Sequence, residues 1–365
     1  MDIATGLVTA SAHPASPDLV TEAVSQAMAK AGLTIANSVL LFLTPEFAKD
    51  PQPALRAASK AANCMQIVGC TAAGIFTEQE WVLDTPAAAA MVFGGNVNLT
   101  AATEPAPADL ILSLAAPSAV NTTWLAEPGV RFGGVSGDAT GQGPFKVWHA
   151  SKVSTLGRCE SYLRGTRGVV GVSQGIRPLS DAMEITQVSG YDVLTLRQQP
   201  ALNVLARVLP LEVREMERLP LHLIMAGIIF GDPATAIQDG RFHLAPIIST
   251  NSDDGSVTVA RRLEKGEQLF WAMRQPLAAE LDMRMTIDRM DAELGKTPDF
   301  GLLFPCMGRG PYFYGGEDRD WSLFRQRYPG IPLIGFYGNG EIGPLNNTNQ
   351  IFQYSAVLGL FVQNV

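Results

Sequence analysis

With 365 residues, 47% of them hydrophobic and 17% charged, the chain can build one large domain or two ordinary ones around substantial cores. Its formal net charge of -8 excludes the basic footprint of a nucleic-acid binder, and its longest apolar runs, such as 221–230, are too short to span a bilayer. Met1-Asp2-Ile3 opens without a basic and apolar leader, and the cysteines at 64, 70, 159 and 306 show no CxxC spacing, so a cytoplasmic protein with reduced thiols is expected.

In chain order, the first clear element is a helix over 18–31. Leu19, Ala23, Val24, Ala27 and Met28 form one stripe, Ser16 and Asp18 stand at the cap, and Gly32 is a stop. The run 39–43 reads as a buried strand, 53–63 as a helix entered through prolines, and 65–68 as a second strand ending in Gly69-Cys70-Thr71-Ala72-Ala73-Gly74. This order favours parallel pairing with helices on the sheet face. Strands are expected at 87–93 and 97–103, joined tightly through Gly94-Gly95-Asn96. The Ala- and Pro-rich stretch 104–128 holds a strand at 110–114 and a short helix at 121–127. A strand at 130–135 ends in Gly133-Gly134-Val135-Ser136-Gly137-Asp138, and one at 169–173 leads into Gln174-Gly175-Ile176-Arg177-Pro178. A hairpin turns about Ser189-Gly190.

After Pro200 the pattern changes. A helix at 201–209 precedes strands at 221–230, 242–250, 256–262 and 268–274, whose short turns argue for an antiparallel meander. A long helix over 276–294 follows, with Pro at its start and Gly295 at its end. Then come a strand at 300–304, the loop Cys306-Met307-Gly308-Arg309-Gly310, a helix near 320–328, a strand at 332–336, the loop Tyr337-Gly338-Asn339-Gly340-Glu341, and a last strand at 350–362. Each half thus ends buried strands in glycine-rich turns, a loose twofold likeness.

The two loops after 300–304 and 332–336 concentrate a thiol, a guanidinium, a phenol and the carboxylates Glu317 and Glu341. Arg309 can pair bidentately with a carboxylate, either a ligand's or that of Glu317 or Glu341. The turn at Cys70 and Thr71 and the turn at Gly133, Gly134 and Ser136 can present backbone N–H groups to a ligand, or serve simply as tight turns around a buried thiol. Arg177 is either a second carboxylate fork or a surface residue. The histidines 13, 149, 222 and 243 share no metal-ligand spacing, and a single one serving as a haem ligand is a minor reading. No base stands near Cys70 or Cys306 in sequence, so a cysteine-dependent enzyme ranks last.

Five of these stretches combine into a resemblance: Val68-Gly69-Cys70-Thr71 through Gly74, Phe132-Gly133-Gly134, Gln174-Gly175-Ile176-Arg177-Pro178, Phe304-Pro305-Cys306-Met307-Gly308-Arg309-Gly310, and Ile334-Gly335-Phe336-Tyr337 through Pro344. In this order they resemble the FIST family of prokaryotic sensory proteins, whose domains also occur in certain F-box proteins. Ile75 stands where family members often carry an acidic residue. The resemblance implies a small-ligand sensory domain, binding ligands such as amino acids, with no catalytic role. It also implies partners such as a histidine kinase or a cyclic-di-GMP enzyme, and for some members haem and nitric oxide. The expected fold is α/β (α+β): two domains, 1–200 and 201–365, with mixed sheets facing each other and helices outside. The expected ligand site between them draws on Cys70, Thr71, Gly133, Gly134, Ser136, Arg177, Cys306, Gly308, Arg309, Glu317, Tyr337 and Glu341, without a metal or an obligatory cofactor.

Overall fold

The computed structural model describes residues 2–10 and 15–364. The fold is mixed α+β, 23% helical and 40% strand, with several mixed sheets and seven α-helices among the described residues. Contacts divide the chain into two units: Met1–Gln174 with Met283–Val365, and Gly175–Asp282. The expected boundary near 200 falls inside the second unit.

The first unit repeats one connectivity three times. In the first module a strand (Ile3–Thr9) leads to the helix Pro17–Ala31, a strand (Ser38–Leu43), the helix Gln52–Ala62, a strand (Ile67–Thr71) and finally Ala87–Phe93. In its sheet these four strands lie in the order first, fourth, second, third. The second and third are parallel, and the fourth is antiparallel to both its neighbours. A second module uses Asn98–Ala101, Leu110–Ala115, Val130–Val135 and Arg158–Arg164 in the same order and senses. A third uses Thr166–Ser173, Phe300–Pro305, Leu333–Tyr337 and Ala356–Gln363. Each second strand runs into a 3-10 turn, at Pro45–Phe47, Pro117–Ala119 and Met307–Arg309. The loose twofold likeness in the sequence is therefore a threefold repeat.

Each sheet is completed by a hairpin from another module. The hairpin Gly74–Thr77/Trp81–Leu83 leaves the first module and pairs with the third strand of the third. Glu341–Leu345/Thr348–Phe352 leaves the third and pairs with the second. Val147–His149/Lys152–Val153 leaves the second and pairs with the first. The three sheets are thus linked in a closed cycle. The glycines of the third strands have a common steric cause. A Cβ on Gly69 would lie 1.7 Å from the Leu41 carbonyl oxygen, on Gly133 2.0 Å from that of Ser113, and on Gly335 1.9 Å from that of Leu303. Only glycine lets the parallel strands approach so closely.

Local chemistry explains the elements. Ser16 accepts from the Asp18 N–H at 3.3 Å, Pro17 sits at the first helical turn and Gly32 ends the helix at φ 66°. The buried stripe Val20, Ala23, Val24, Ala27, Met28 packs on the sheet. Several expected elements change. The runs 87–93 and 97–103 do not pair with each other, because Asn98–Ala101 bonds Arg158–Arg164 in another sheet. The last strand divides into Thr348–Phe352 and Ala356–Gln363, which lie in different sheets.

The second unit is inserted in the third module after its first strand and takes in the first turns of the helix Pro276–Leu294, where the first module has only residues 10–16 between strand and helix. Met183–Ser189, Asp192–Leu196, Ser256–Val259, Phe242–Asn251, Ile224–Ile229 and Gln268–Arg274 pair successively, and the last bonds the first and the fifth, so the sheet closes into a six-stranded barrel. The expected meander holds from 224 to 259 and then breaks: Ser256–Val259 pairs with Asp192–Leu196, and Gln268–Arg274 returns to Ile224–Ile229. The interior is filled by Ile185, Val193, Ile228, Val257, Leu269 and Trp271, a packed core rather than a channel.

Candidate functional site

The parallel strands Phe300–Pro305 and Leu333–Tyr337 deliver their carboxyl ends side by side, the usual place for a site in such sheets. Cys306 and Gly338 form a bridge there, and the Met307 N–H donates to the Gly338 carbonyl at 2.9 Å.

Arg309 is buried, at 1% exposure. Its Nε donates to Asp320 Oδ2 at 2.8 Å and its Nη2 to Asp320 Oδ1 at 3.0 Å. Nη1 donates to the Ser173 carbonyl at 2.7 Å, and Nη2 also to Ser173 Oγ at 2.8 Å. The Tyr314 hydroxyl accepts from Nε at 3.3 Å. This corrects the expectation that Arg309 pairs with Glu317 or Glu341 or receives a ligand carboxylate. Its fork is filled by Asp320, and Glu317 is exposed.

Asp318, which the sequence reading missed, caps the helix Arg319–Arg327: its Oδ1 accepts from the Trp321 N–H at 3.0 Å. The rule that Asp precedes a helix would have found it. Its Oδ2 accepts from the Tyr337 hydroxyl at 2.5 Å. Burial, then the neighbouring Asp320 charge, push its carboxyl up to about 7. The Tyr337 phenol is driven well up by burial and by Asp318.

Glu341 is fully buried, and its Oε2 accepts from the Ser355 N–H at 3.2 Å. It lies beside Cys306, whose thiol is pushed up by burial first and by Glu341 second, against the N–H groups of Tyr354 and Gly308. Tyr354 holds φ 60°, a conformation that costs a non-glycine residue energy and clusters at functional sites. Gly308, Asn339 and Tyr354 are half-buried and form the exposed side of this cluster.

The glycine turns of the first two modules meet nearby. Ser136 Oγ donates to the Thr71 carbonyl at 2.5 Å, and the Asn339 N–H donates to the Val135 carbonyl at 3.0 Å. Glu341 pairs with Gly134 and Ile342 with Gly133 across the strands. Gly133 and Gly134 lie within a strand, so their amides serve the sheet and are not an open anion cradle. Cys70 is buried, its thiol pushed well up by desolvation and then by Cys159. Arg177 belongs to the second unit, where it is exposed.

His13 lies outside the described residues. His149 and His243 are held down by burial, and His222 sits in the 3-10 turn Leu221–Leu223. No group of three metal-ligating side chains occurs among the described residues.

A FIST N domain model matches residues 37–199, and a FIST C domain model matches residues 201–344. The chain belongs to the FIST family. Domains of this family are generally sensory, ligand-binding parts of signal transduction. An uncharacterized protein of Mycobacterium bovis is 30% identical over 233 residues, 64% of this chain and 60% of that one. An uncharacterized Mycobacterium tuberculosis protein is 30% identical over 230 residues, 63% and 60% respectively. Human F-box only protein 22 shares 46% identity over 44 residues, 12% of this chain and 11% of that protein. The chain therefore spans about 60% of the length of its mycobacterial relatives. Neither FIST match coincides with a structural module. The FIST N match holds most of the first module, all of the second and the first strand of the third, while the FIST C match carries most of the rest. Among the described residues no helix is long and apolar enough to cross a membrane.

Proposed function

We propose that this FIST protein is a sensory module that binds a small polar ligand at the carboxyl strand ends of its third module, with amino acids and related amines the first class to test. The observation that carries this reading is the comparison among the modules. Cys306 stands where the first two have Thr44 and Ala116: the three amides donate to Ser355, Ala87 and Gly157, each at the start of a fourth strand or just before it. Arg309 stands where they have Phe47 and Ala119, each bonding back three residues to close the 3-10 turn. Tyr337 matches Thr71 and Val135, and Glu341 matches Ile75 and Val147, the hairpin residues that pair with the position just after a third strand's glycine: Gly134, Phe336 and Cys70 respectively.

Two modules thus form the same backbone with uncharged residues at all four positions. The architecture does not require the buried charges of the third, and burying them is costly. Function is what retains them. Asp320 balances the Arg309 guanidinium and Asp318 is pushed towards its neutral form, so the buried carboxylate of Glu341 gives this end its preference for a cationic group. Glu341 takes the ligand's ammonium, and the half-buried turns at Gly308 and Asn339 take its remaining polar groups. Arg309 is a positioning residue that ties this end to Ser173, the end of the strand from which the chain leaves the first unit. The raised thiol of Cys306 supports a non-catalytic role, since a protonated thiol is a poor nucleophile. A separate signalling protein, such as a histidine kinase or a cyclic-di-GMP enzyme, reads the bound state.

Thermal-shift and calorimetric titration with amino acids and small amines tests this. A ligand at a hundred times its Kd adds about 2.7 kcal/mol of stability. The shift should vanish in Glu341→Gln while the unliganded variant still unfolds cooperatively. If no compound raises the Tm, or if the variant responds like the wild type, the reading fails.

A further inference from the structure

We propose a second binding site, at the opposite strand ends of the second module, for a short extended peptide carrying a positive charge. A cavity of about 670 Å³ lies there, within the range of ligand sites. Leu110, Val130 and Pro344 give it apolar walls, and Gly168, Val169 and Val170 form one side.

That side is a sheet edge. Thr166–Ser173 pairs with Ala356–Gln363 along its length, and among the described residues no strand pairs with its other edge. In an antiparallel pair alternate residues turn their N–H and C=O outward, so an edge of eight residues is a template for another extended chain. Towards its end the edge is covered: a Cβ on Gly343 would come within 2.7 Å of Val172 Cγ2. Along 168–170 it faces the cavity instead. The usual protections of an edge are missing from this stretch, since it carries neither Lys nor Pro. The neighbouring Arg167 is engaged with the helix end, its Nη2 donating to the Leu294 carbonyl at 2.6 Å.

The remaining wall chemistry selects the occupant. Asn349 is committed to the framework, donating to the Leu125 and Gly129 carbonyls and accepting from the Arg131 N–H at 2.8 Å. Asn347 and the backbone along 168–170 are then the uncharged polar groups on the wall, which suits a peptide backbone. Glu293, exposed near the end of its helix, is the one charged wall residue among those described, so charge complementarity calls for a cation. Three extended residues span about 10 Å. Such a peptide adds to the edge at Gly168–Val170, turns one side chain towards Leu110 and Val130, and places a Lys or Arg near Glu293.

Fluorescence anisotropy with the full chain tests the proposal, using Val-Lys-Val labelled at its carboxyl end, its Val-Glu-Val counterpart and a backbone N-methylated Val-Lys-Val. The Lys peptide should bind at least tenfold more tightly than the other two. Hydrogen exchange at Val169 or Val170 should slow when it binds. Glu293→Lys should reverse the charge preference, and Val130→Trp, which fills the cavity, should weaken binding of both charge forms. Glu341→Gln should leave peptide binding unchanged, which separates this site from the one proposed above. Absence of binding at millimolar peptide, equal binding of the N-methylated form, an unaltered preference in Glu293→Lys, or loss of binding in Glu341→Gln would each overturn it.

Discussion

Asp318 shows how one side chain can hold opposing demands. As a helix cap it accepts from the Trp321 N–H, which favours the ionised form, yet its burial beside Asp320 favours the proton more strongly. Its folded pKa of about 7 lies above the ordinary value of 3.8. Between these values the native state binds more protons than the unfolded chain, so stability falls as pH rises through the window and levels off above it. The slope is at most about 1.4 kcal/mol per pH unit. Asp318→Asn keeps the cap and removes the titration. Urea unfolding should therefore show the variant gaining on the wild type from about pH 4 to about pH 7. A difference that is flat across that range would count against the assignment. The cap was legible as an Asp before a helix, but the burial beside Asp320 was not, and Arg309 had Glu317 and Glu341 as candidate partners. The true partner, Asp320, is near in sequence, but only the helix phase brings it inward while Glu317 stays exposed.

At the scale of elements, the glycines of the third strands carry more of the fold than the turns they precede. The sequence suggests ligand-cradling loops at 69–74 and 133–138. The structure assigns Gly69, Gly133 and Gly335 to close parallel pairing, each against a carbonyl of the second strand. Gly133→Ala should therefore cost about 3 kcal/mol or more, because the obstacle is backbone and cannot rotate away. Gly32→Ala meets nothing within 4 Å and is strained only by φ 66°, so it should cost about 1 kcal/mol. Chemical denaturation of the two variants compares them directly, and equal losses would refute the close-approach argument. The helix 17–31 was readable because its stripe, cap and stop are all local signals. The short strands Gly74–Thr77 and Val147–His149 were not, since each pairs with the third strand of a module distant along the chain.

Across the whole molecule, the two family matches divide the sequence where the structure does not divide the first unit. The FIST N segment supplies Gly74–Thr77 to the third module's sheet, and the FIST C segment supplies Glu341–Leu345 to the second's. A fragment of residues 1–200 would leave the sheet edges at Ile75 and Gly134 unpaired and expose apolar surface. Expressed alone, it should be unfolded or aggregated by circular dichroism and gel filtration. Co-expressed with 201–365, the two pieces should form a stable complex. A monomeric, cooperatively folding 1–200 fragment would disprove the interleaving.

By itself the sequence determined the α+β class, most of the helices and buried strands, the family, and the concentration of ionisable groups at 306–341. These follow from local periodicity, capping and composition, which act over a few residues. Only the tertiary structure decided that the glycine turns belong to three linked modules, that the guanidinium of Arg309 is bound to Asp320, and that Glu341 lies against Cys306. Those outcomes depend on strand order and on which hairpin completes which sheet, and pairings between distant segments leave no periodic trace in a single chain.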